Sequence, residues 1–365
     1  MSTDALPAKP RASVRRLVAS RAVAISIAAV VAAMAVGVVL IRAIGVPIGE
    51  ALAAFADGAW GSAYAVAASL NRSLVFAMVG LGFILANRAN LTNVGGEGQI
   101  AVGGMTAVAV SLYAHVSALP YGLAFVVPML AAALAGGVWG GIAGVLKARF
   151  GTNEVIATLL LSFIAIWMVY GSVQSEALLR QPMTSSATLP ESLEIPTATQ
   201  LPLLTGDAAM PLHIGLPIGI ALAIVVAIVL NRTVLGVKLR AVGMNALAAR
   251  RAGIPIAGSI VGVLFAAGAL GGLAGAFMLQ GEQYSLKAGF SSGYGFDGLV
   301  VGLLARGSVT GVIAASLLFG FLRSGGINME MAASVPTALV VVIQGLIIVT
   351  LAGAALAITR KVNVR

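Results

Sequence analysis

The chain alternates long apolar runs with short polar stops, and the lengths of the runs set the reading. A helix that crosses a bilayer needs about 20 predominantly apolar residues. Runs of that kind are predicted at residues 22–44, 71–89, 95–117, 120–146, 154–173, 213–231, 256–279 and 336–358. Two shorter ones, 293–305 and 308–322, join at Arg306-Gly307. The pattern predicts an all-α polytopic membrane protein of about ten transmembrane helices, some of them discontinuous. The first run follows a polar tail, residues 1–20, that carries Lys9, Arg11, Arg15 and Arg16, with Arg21 at the membrane edge. It is longer than the roughly 7–15 apolar residues of a signal-peptide core. Ala-Leu-Ala at 51–53 is also a poor cleavage site beside Pro47 and Glu50, so the run reads as an uncleaved signal-anchor.

The polar stops assign sides within a membrane domain spanning 21–358. Residues 46–70 carry Glu50, Asp57, Trp60 and Tyr64, the composition of an amphipathic segment at the outer interface. Residues 174–212 hold Pro182, Pro190, Pro196, Pro202 and Pro211, with Glu176, Glu191, Glu194 and Asp207 against the single base Arg180. That segment reads as an outer loop, as does 281–292. Residues 232–255 contain Arg232, Lys238, Arg240, Arg250 and Arg251 and no acid, and read as cytoplasmic. The C-terminal tail, 359–365, carries Arg360, Lys361 and Arg365. With both termini inside, all of the 22 Lys and Arg residues except Arg42, Arg72, Arg180, Lys287 and Arg323 lie on the cytoplasmic side, as positive-inside topology requires.

Composition narrows the class. The 365 residues are 59% hydrophobic and only 9% charged, where a soluble chain carries roughly 25% charged residues. The mean hydropathy is +1.03. The net charge of +10 does not point to nucleic acid, because the cations sit at the ends of apolar runs. Zero cysteines exclude disulfides and thiolate metal sites, and the two histidines, His115 and His213, are too far apart in sequence to suggest a metal cluster.

One stretch stands out from this background: Asn93-Val94-Gly95-Gly96-Glu97-Gly98-Gln99, at the head of an apolar run. A charge at the bilayer centre costs about 2.5–3.5 kcal/mol on insertion scales, and each glycine weakens a helix by about 1 kcal/mol against alanine. The glycines invite a phosphate-loop reading, but GxxxxGK[ST] is absent. A plain turn is the other reading of Asn-Val-Gly-Gly. The stretch has a partial echo: Gly95-Gly96-Glu97-Gly98 is matched by Gly295-Phe296-Asp297-Gly298, each a Gly-x-acid-Gly at the head of an apolar run. The two heads are five spans apart, an offset that inverts direction and suggests an inverted repeat of two halves, each with a broken helix. Asn153-Glu154 reads as an ordinary helix start, with a cap and a first-turn acid. Within the basic loop, Ala246 to Ala252 predicts a short helix closed by Gly253, with Pro255 beyond.

These stretches resemble, in order, the permease subunits of ATP-binding-cassette importers of the simple-sugar and nucleoside branch, nucleoside-type subgroup. The resemblance rests on Asn93 to Gln99, Asn153-Glu154-Val155-Ile156, Arg240-Ala241-Val242-Gly243-Met244-Asn245, Ala248 to Ile254, Gly295 to Gly298 and Leu317-Leu318-Phe319-Gly320, between about residues 70 and 350. Gly96 stands where the family often has Val or Ala, and Ser162 where Asn is common. The resemblance implies a multi-pass subunit of the bacterial inner membrane, surrounded by lipid, that forms a solute pathway with a second permease, in a heterodimer. It implies an extracytoplasmic binding lipoprotein that delivers solute, and cytoplasmic ABC ATPases that carry ATP and Mg, so this chain binds no cofactor of its own and is no enzyme. The ATPases would dock on a coupling loop here containing Lys238, Arg240, Asn245, Ala249, Arg250 and Gly253. A neutral ribosyl solute would need amide, carboxyl and aromatic partners. Asn93, Glu97, Gln99 and Asp297 offer the first two, and Phe296, Trp167 or Trp139 the last, with Gly95, Gly96, Gly98, Gly295 and Gly298 as helix breaks.

Two other classes compete. An ion-coupled secondary transporter would use Glu97, Glu154 and Asp297 as titrating groups, since intramembrane acids often relay protons. A membrane-embedded enzyme finds no HExxH, GxSxG or histidine pair to work with.

Overall fold

The computed structural model describes residues 28–350 except 29–30, 33–34, 121, 185–188, 337, 344 and 347–348. The N-terminal tail, the first part of the signal-anchor, the end of the last span and the C-terminal tail predicted from the sequence fall outside the described residues. The helices, in order, are α1 (Ile48–Trp60), α2 (Ala63–Arg88), α3 (Gly96–Tyr113), α4 (Leu123–Phe150), α5 (Glu154–Gln174) and α6 (Gly215–Arg232). There follow α7 (Val234–Met244), α8 (Ala246–Arg251), α9 (Ile256–Met278), α10 (Tyr294–Leu304) and α11 (Val309–Ala333). Among the described residues there is no strand longer than an isolated bridge. The protein is all-α.

Six of these helices are long and apolar enough to cross a membrane: α2, α4, α5, α6, α9 with its extension to Gln283, and α11. They correspond to six of the ten predicted spans. Two more expected spans are present but differ in kind: α3 carries glycines, Glu97 and Gln99 in its first turn, and α10 is 11 residues long. Three boundaries move. The helix expected at 71–89 begins at Ala63, where Ser62 caps it by accepting from Ala65 N at 3.1 Å. The segment read as one interfacial stretch, 46–70, is therefore α1 and the first turns of α2. The short span expected at 308–322 runs on to Ala333, so Arg323 lies inside a helix and not at its end. The outer loop expected at 281–292 starts later, because α9 widens into a π turn over Leu279–Gln283 before the chain leaves the helix.

The chain forms two compact units, Ala59–Gly325 and Met1–Gly58 with Gly326–Arg365. In the smaller one, Ile41, Ala51, Met329, Val335 and Val340 form an apolar cluster, and Asn328 Nδ2 donates to the Ala54 carbonyl at 2.7 Å.

In the larger unit, α2 is the central element: 83% of its apolar window is buried, against 28% for α5 and α6, which present Leu160, Ile164, Ile220 and Ile224 outward. Helices α3, α4 and α9 approach backbone to backbone. A Cβ on Gly136 would lie 2.5 Å from the Gly268 carbonyl oxygen, and one on Gly272 would collide with the Ala132 carbonyl. Lipid tails are as apolar as leucine, so helices in a bilayer associate by this kind of close packing between small residues.

The irregular segment between α5 and α6 is sewn to the chain after α9. Ser192 N donates to the Leu286 carbonyl, Ile195 N to Tyr284 and Leu201 N to Gln280, all at 2.8–2.9 Å, and Lys287 pairs with Glu191 at 3.2 Å. His213 closes this seam. Its ring is buried between Gly215 and Gly281, and Nδ1 accepts from Gly215 N at 3.1 Å. Burial pulls its pKa from 6.5 down to about 4, because no acceptor or carboxylate compensates the lost hydration.

Two outcomes follow from this packing. Gly272→Val is expected to lower the thermal unfolding temperature of the detergent-solubilised protein, the strain of overpacking being about 1–3 kcal/mol or more. His213 binds its proton less readily folded than unfolded, so stability held above about pH 6.5 is lost as the pH falls toward 4, by on the order of 2 kcal/mol between pH 7 and 5. A melting-temperature profile over that range should show the loss, and His213→Asn, which does not titrate, should flatten it.

Candidate functional site

The stretch from Leu91 to Gly95 is not helical, and it climbs from the end of α2 to the start of α3 through the buried interior. An unwound backbone inside a membrane protein must find its hydrogen-bond partners within the protein. One face of α5 supplies them. Glu154 Oε1 accepts from Thr92 N at 3.4 Å, Thr158 Oγ1 from Val94 N at 3.1 Å, and Ser162 Oγ from Gly98 N at 3.2 Å. These three side chains are spaced by four residues and so line one side of the helix. Glu154 is itself fixed by Lys147 Nζ at 2.6 Å, and Asn153 caps α5 by accepting from Val155 N at 2.9 Å. The start of α5 is thus an ordinary capped helix end and also the foot of a ladder.

Asn93 and Gln99 satisfy each other. Each side-chain amide nitrogen donates to the other's oxygen at 3.2 Å, and Asn93 Oδ1 also accepts from Gly95 N at 2.9 Å. Gln99 fills the space that glycines 140 and 271 leave open on α4 and α9.

Glu97 joins the two echoed motifs. Its side chain is 3% exposed, and its carboxylate reaches the start of α10: Oε1 accepts from Gly293 N at 2.8 Å and Oε2 from Gly295 N at 2.7 Å. The exposed N–H groups and the dipole at a helix start make this a favourable place for an anion. The two helix starts touch. A Cβ on Gly295 would collide with the backbone of Gly96 and Glu97, and one on Gly96 would lie 3.1 Å from the Gly295 carbonyl oxygen and 2.7 Å from Val79. Gly298 also abuts Val79, well inside the 26-residue α2, which places the meeting point at membrane depth. Gly293 adopts φ +82°, the left-handed turn that lets the chain enter α10.

The other expected residues are distributed differently. Asp297 and Phe296 are half-buried on α10, and among the described residues the Asp297 carboxylate has no hydrogen-bond or ion-pair partner; Arg323 is its cationic neighbour. Trp167 is 67% exposed, on an outward apolar face with Leu160, Phe163, Ile164 and Met168, and makes an edge contact with Tyr170. Trp139 is half-buried and donates to the Leu161 carbonyl at 3.3 Å. The structure therefore brings Asn93, Glu97, Gln99 and the five glycines together with Asp297 and Phe296, and leaves Trp167 apart.

The basic loop is more ordered than its sequence indicates. The short helix expected there is present as α8, capped by Asn245 Oδ1, which accepts from Ala248 N at 3.0 Å, and closed by Gly253 at φ +79°. Helix α7 precedes it, started by Thr233. Gly243 seats α7 on the end of α2, where a Cβ would lie 2.6 Å from the Arg88 carbonyl oxygen. Lys238, Arg240 and Arg250 are exposed, as are Met244 and Leu247, whereas Ala249 is buried.

Glu97→Gln is expected to leave one of the two Gly293 and Gly295 N–H groups facing an NH2 donor. Leaving a buried donor unsatisfied costs about 1–3 kcal/mol. The loss should appear as a lower melting temperature and faster hydrogen exchange at the start of α10, and Thr158→Val should do the same at Val94.

The family described as "Branched-chain amino acid transport system / permease component" matches residues 65–352. The chain is 31% identical over 331 residues to the guanosine ABC transporter permease protein NupP of Bacillus subtilis (strain 168), covering 89% of this chain and 91% of that one. It is 35% identical over 335 residues to the glucose ABC transporter permease protein TsgB13 of Haloferax volcanii, covering 88% and 85%. Identity to the nucleoside ABC transporter permease protein NupB of Lactococcus lactis subsp. cremoris is 29% over 276 residues, 74% of each chain. No solved structure matches the chain.

Proposed function

The chain belongs to this family of transport-system permease components, and on that premise we propose that it forms the translocation pathway of an ATP-driven importer for a nucleoside or a simple sugar. It is a multi-pass membrane protein and a transport subunit of the ABC class, not the ATPase. The finer reading is as follows. The chain pairs with a second permease as a heterodimer in the bacterial inner membrane, with both termini in the cytoplasm. An extracytoplasmic lipoprotein delivers solute to an outer mouth built from the sewn segments around Ser192 and Leu286. Partner ATPases carrying ATP and Mg dock on α7 and α8. Nucleotide switches access only if the ATPases bind the inward- and outward-open states with different affinity.

The observation that carries the docking role is the α7–α8 surface. Two short helices, capped at Thr233 and Asn245 and anchored at Gly243, expose Val234, Val237, Met244 and Leu247 among Lys238, Arg240, Arg250 and Arg251. Apolar side chains rimmed by cations suit a partner protein better than water. Asn93, Glu97 and Gln99 support the pathway by holding the two helix starts in place. Asp297 and Phe296, half-buried on α10, are the expected residues left to face solute.

Arg240→Glu combined with Leu247→Glu is expected to abolish co-purification of the ATPase while leaving membrane insertion intact; undiminished co-purification counts against the docking role. Uptake by vesicles carrying the assembled importer is expected to require ATP. Uptake that follows a proton or sodium gradient without ATP would establish the secondary-transporter reading instead.

A further inference from the structure

Beside the meeting point of the two helix starts lies a cluster of charged side chains around Tyr294. Arg72 comes from α2, one turn from Phe76, and Phe76 stacks on Tyr294 with ring centroids 4.9 Å apart. Arg323, from α11, lies over the Tyr294 ring at 5.0 Å and donates through Nη2 to the Ser292 carbonyl at 3.0 Å. Arg72 Nη1 donates to Ser324 Oγ at 2.7 Å. Two carboxylates complete the cluster: Glu282, in the π turn at the end of α9, with Arg72 as its charged neighbour, and Asp297, with Arg323 as its own.

The two cations and two anions do not pair. Among the described residues neither arginine forms an ion pair with Glu282 or Asp297, and no hydrogen bond reaches either carboxylate. Arg323 Nε is buried with no acceptor. All four side chains are half-buried in the interior of the larger unit, where an unpaired charge is costly and is kept for a pathway or a site. The aromatic side chain at the centre is already engaged by Phe76 and by Arg323.

Resting on the importer reading above, we propose that Arg72, Arg323, Glu282 and Asp297 form a solute station on the outer side of the helix break, selective for a neutral solute with vicinal hydroxyl groups. The separated charges supply both halves of the recognition. Carboxylates are acceptors only and take hydroxyl protons, while guanidinium groups are donors only and serve carbonyl or ring-nitrogen acceptors. A neutral molecule rich in both, such as a ribonucleoside, offers hydrogen-bond partners to both kinds of group. A neutral solute adds no charge to a set of two cations and two anions, whereas a charged one would leave it unbalanced, and a hydrocarbon would leave every group unsatisfied.

The test uses the assembled importer in proteoliposomes with ATP, and one binding protein presented at saturation with a ribonucleoside or with its 2′-deoxy counterpart, so that differences in rate belong to the permease. Asp297→Asn and Glu282→Gln are each expected to lower ribonucleoside uptake at least tenfold while changing deoxyribonucleoside uptake much less, since a missing hydroxyl is felt only by a site built to bind it. Arg72→Gln and Arg323→Gln should lower uptake of both solutes, and Asp297→Glu, which keeps the acceptor, should retain the preference for the ribosyl form. Wild-type rates in all four charge-removing variants would overturn the station. So would equal losses for both solutes in the two carboxylate variants accompanied by a lower melting temperature, which is the signature of a structural role. A wild-type importer that moves neither solute with ATP and loaded binding protein overturns the importer reading itself, and the station with it.

Discussion

The Glu97 carboxylate, held between the N–H groups of Gly293 and Gly295, is the interaction on which the interior depends. Two helices that begin inside a membrane protein each leave N–H groups without partners in their first turn. In lipid each such group costs several kcal/mol. One anion placed at the contact of both starts answers part of that demand, and its own charge is compensated by the donors and the dipole of α10. The glycines are explained by the same contact. Any side chain at Gly295 would push the two starts apart and lengthen both hydrogen bonds.

Three N–H groups of the break, those of Thr92, Val94 and Gly98, are served by α5 through Glu154, Thr158 and Ser162. The break is thus an extended segment clamped along its length, with Asn93 and Gln99 locking its turn. This answers the cost raised by so much polarity at membrane depth. Asn93, Glu97 and Gln99 are spent on the backbone and on each other. The sequence echo is a contact, and an asymmetric one: Glu97 caps α10, but Asp297 forms no matching hydrogen bond at the start of α3 and remains half-buried beside Arg323.

The long spans were legible because apolar length alone marks them, and the short helix at Ala246 was legible because Asn245 and Gly253 bracket it. The Gly-x-acid-Gly motifs could be found as a pair, but their contact could not. It depends on bringing together residues nearly 200 positions apart, and no local pattern encodes that distance. The ladder on α5 left a faint trace, a polar residue every fourth position through an apolar helix, which the helix-start reading of Glu154 concealed. Helix α7 was hidden because a basic, glycine-containing stretch with exposed Val234, Val237 and Met244 looks like a solvated loop. Trp167 illustrates the reverse difficulty: an aromatic in a membrane span says nothing of which way it faces, and α5 turns this one outward.

The position of Gly243 connects the two organised regions. It seats α7 against the carbonyl of Arg88 and the backbone of Ala89 and Asn90, the last residues before the extended segment begins. From there the chain has only a few residues to Glu97, all of them clamped to α5 or to one another, so there is little slack to absorb a displacement. A shift of α7 is therefore carried to the end of α2 and the foot of the ladder by packed backbone, because close-packed interiors transmit strain and do not dissipate it. At the far end, the two short hydrogen bonds of Glu97 couple the start of α3 to the start of α10, which bears Asp297. The arrangement that keeps an unwound segment stable at membrane depth is also one that links the basic surface to the start of α10.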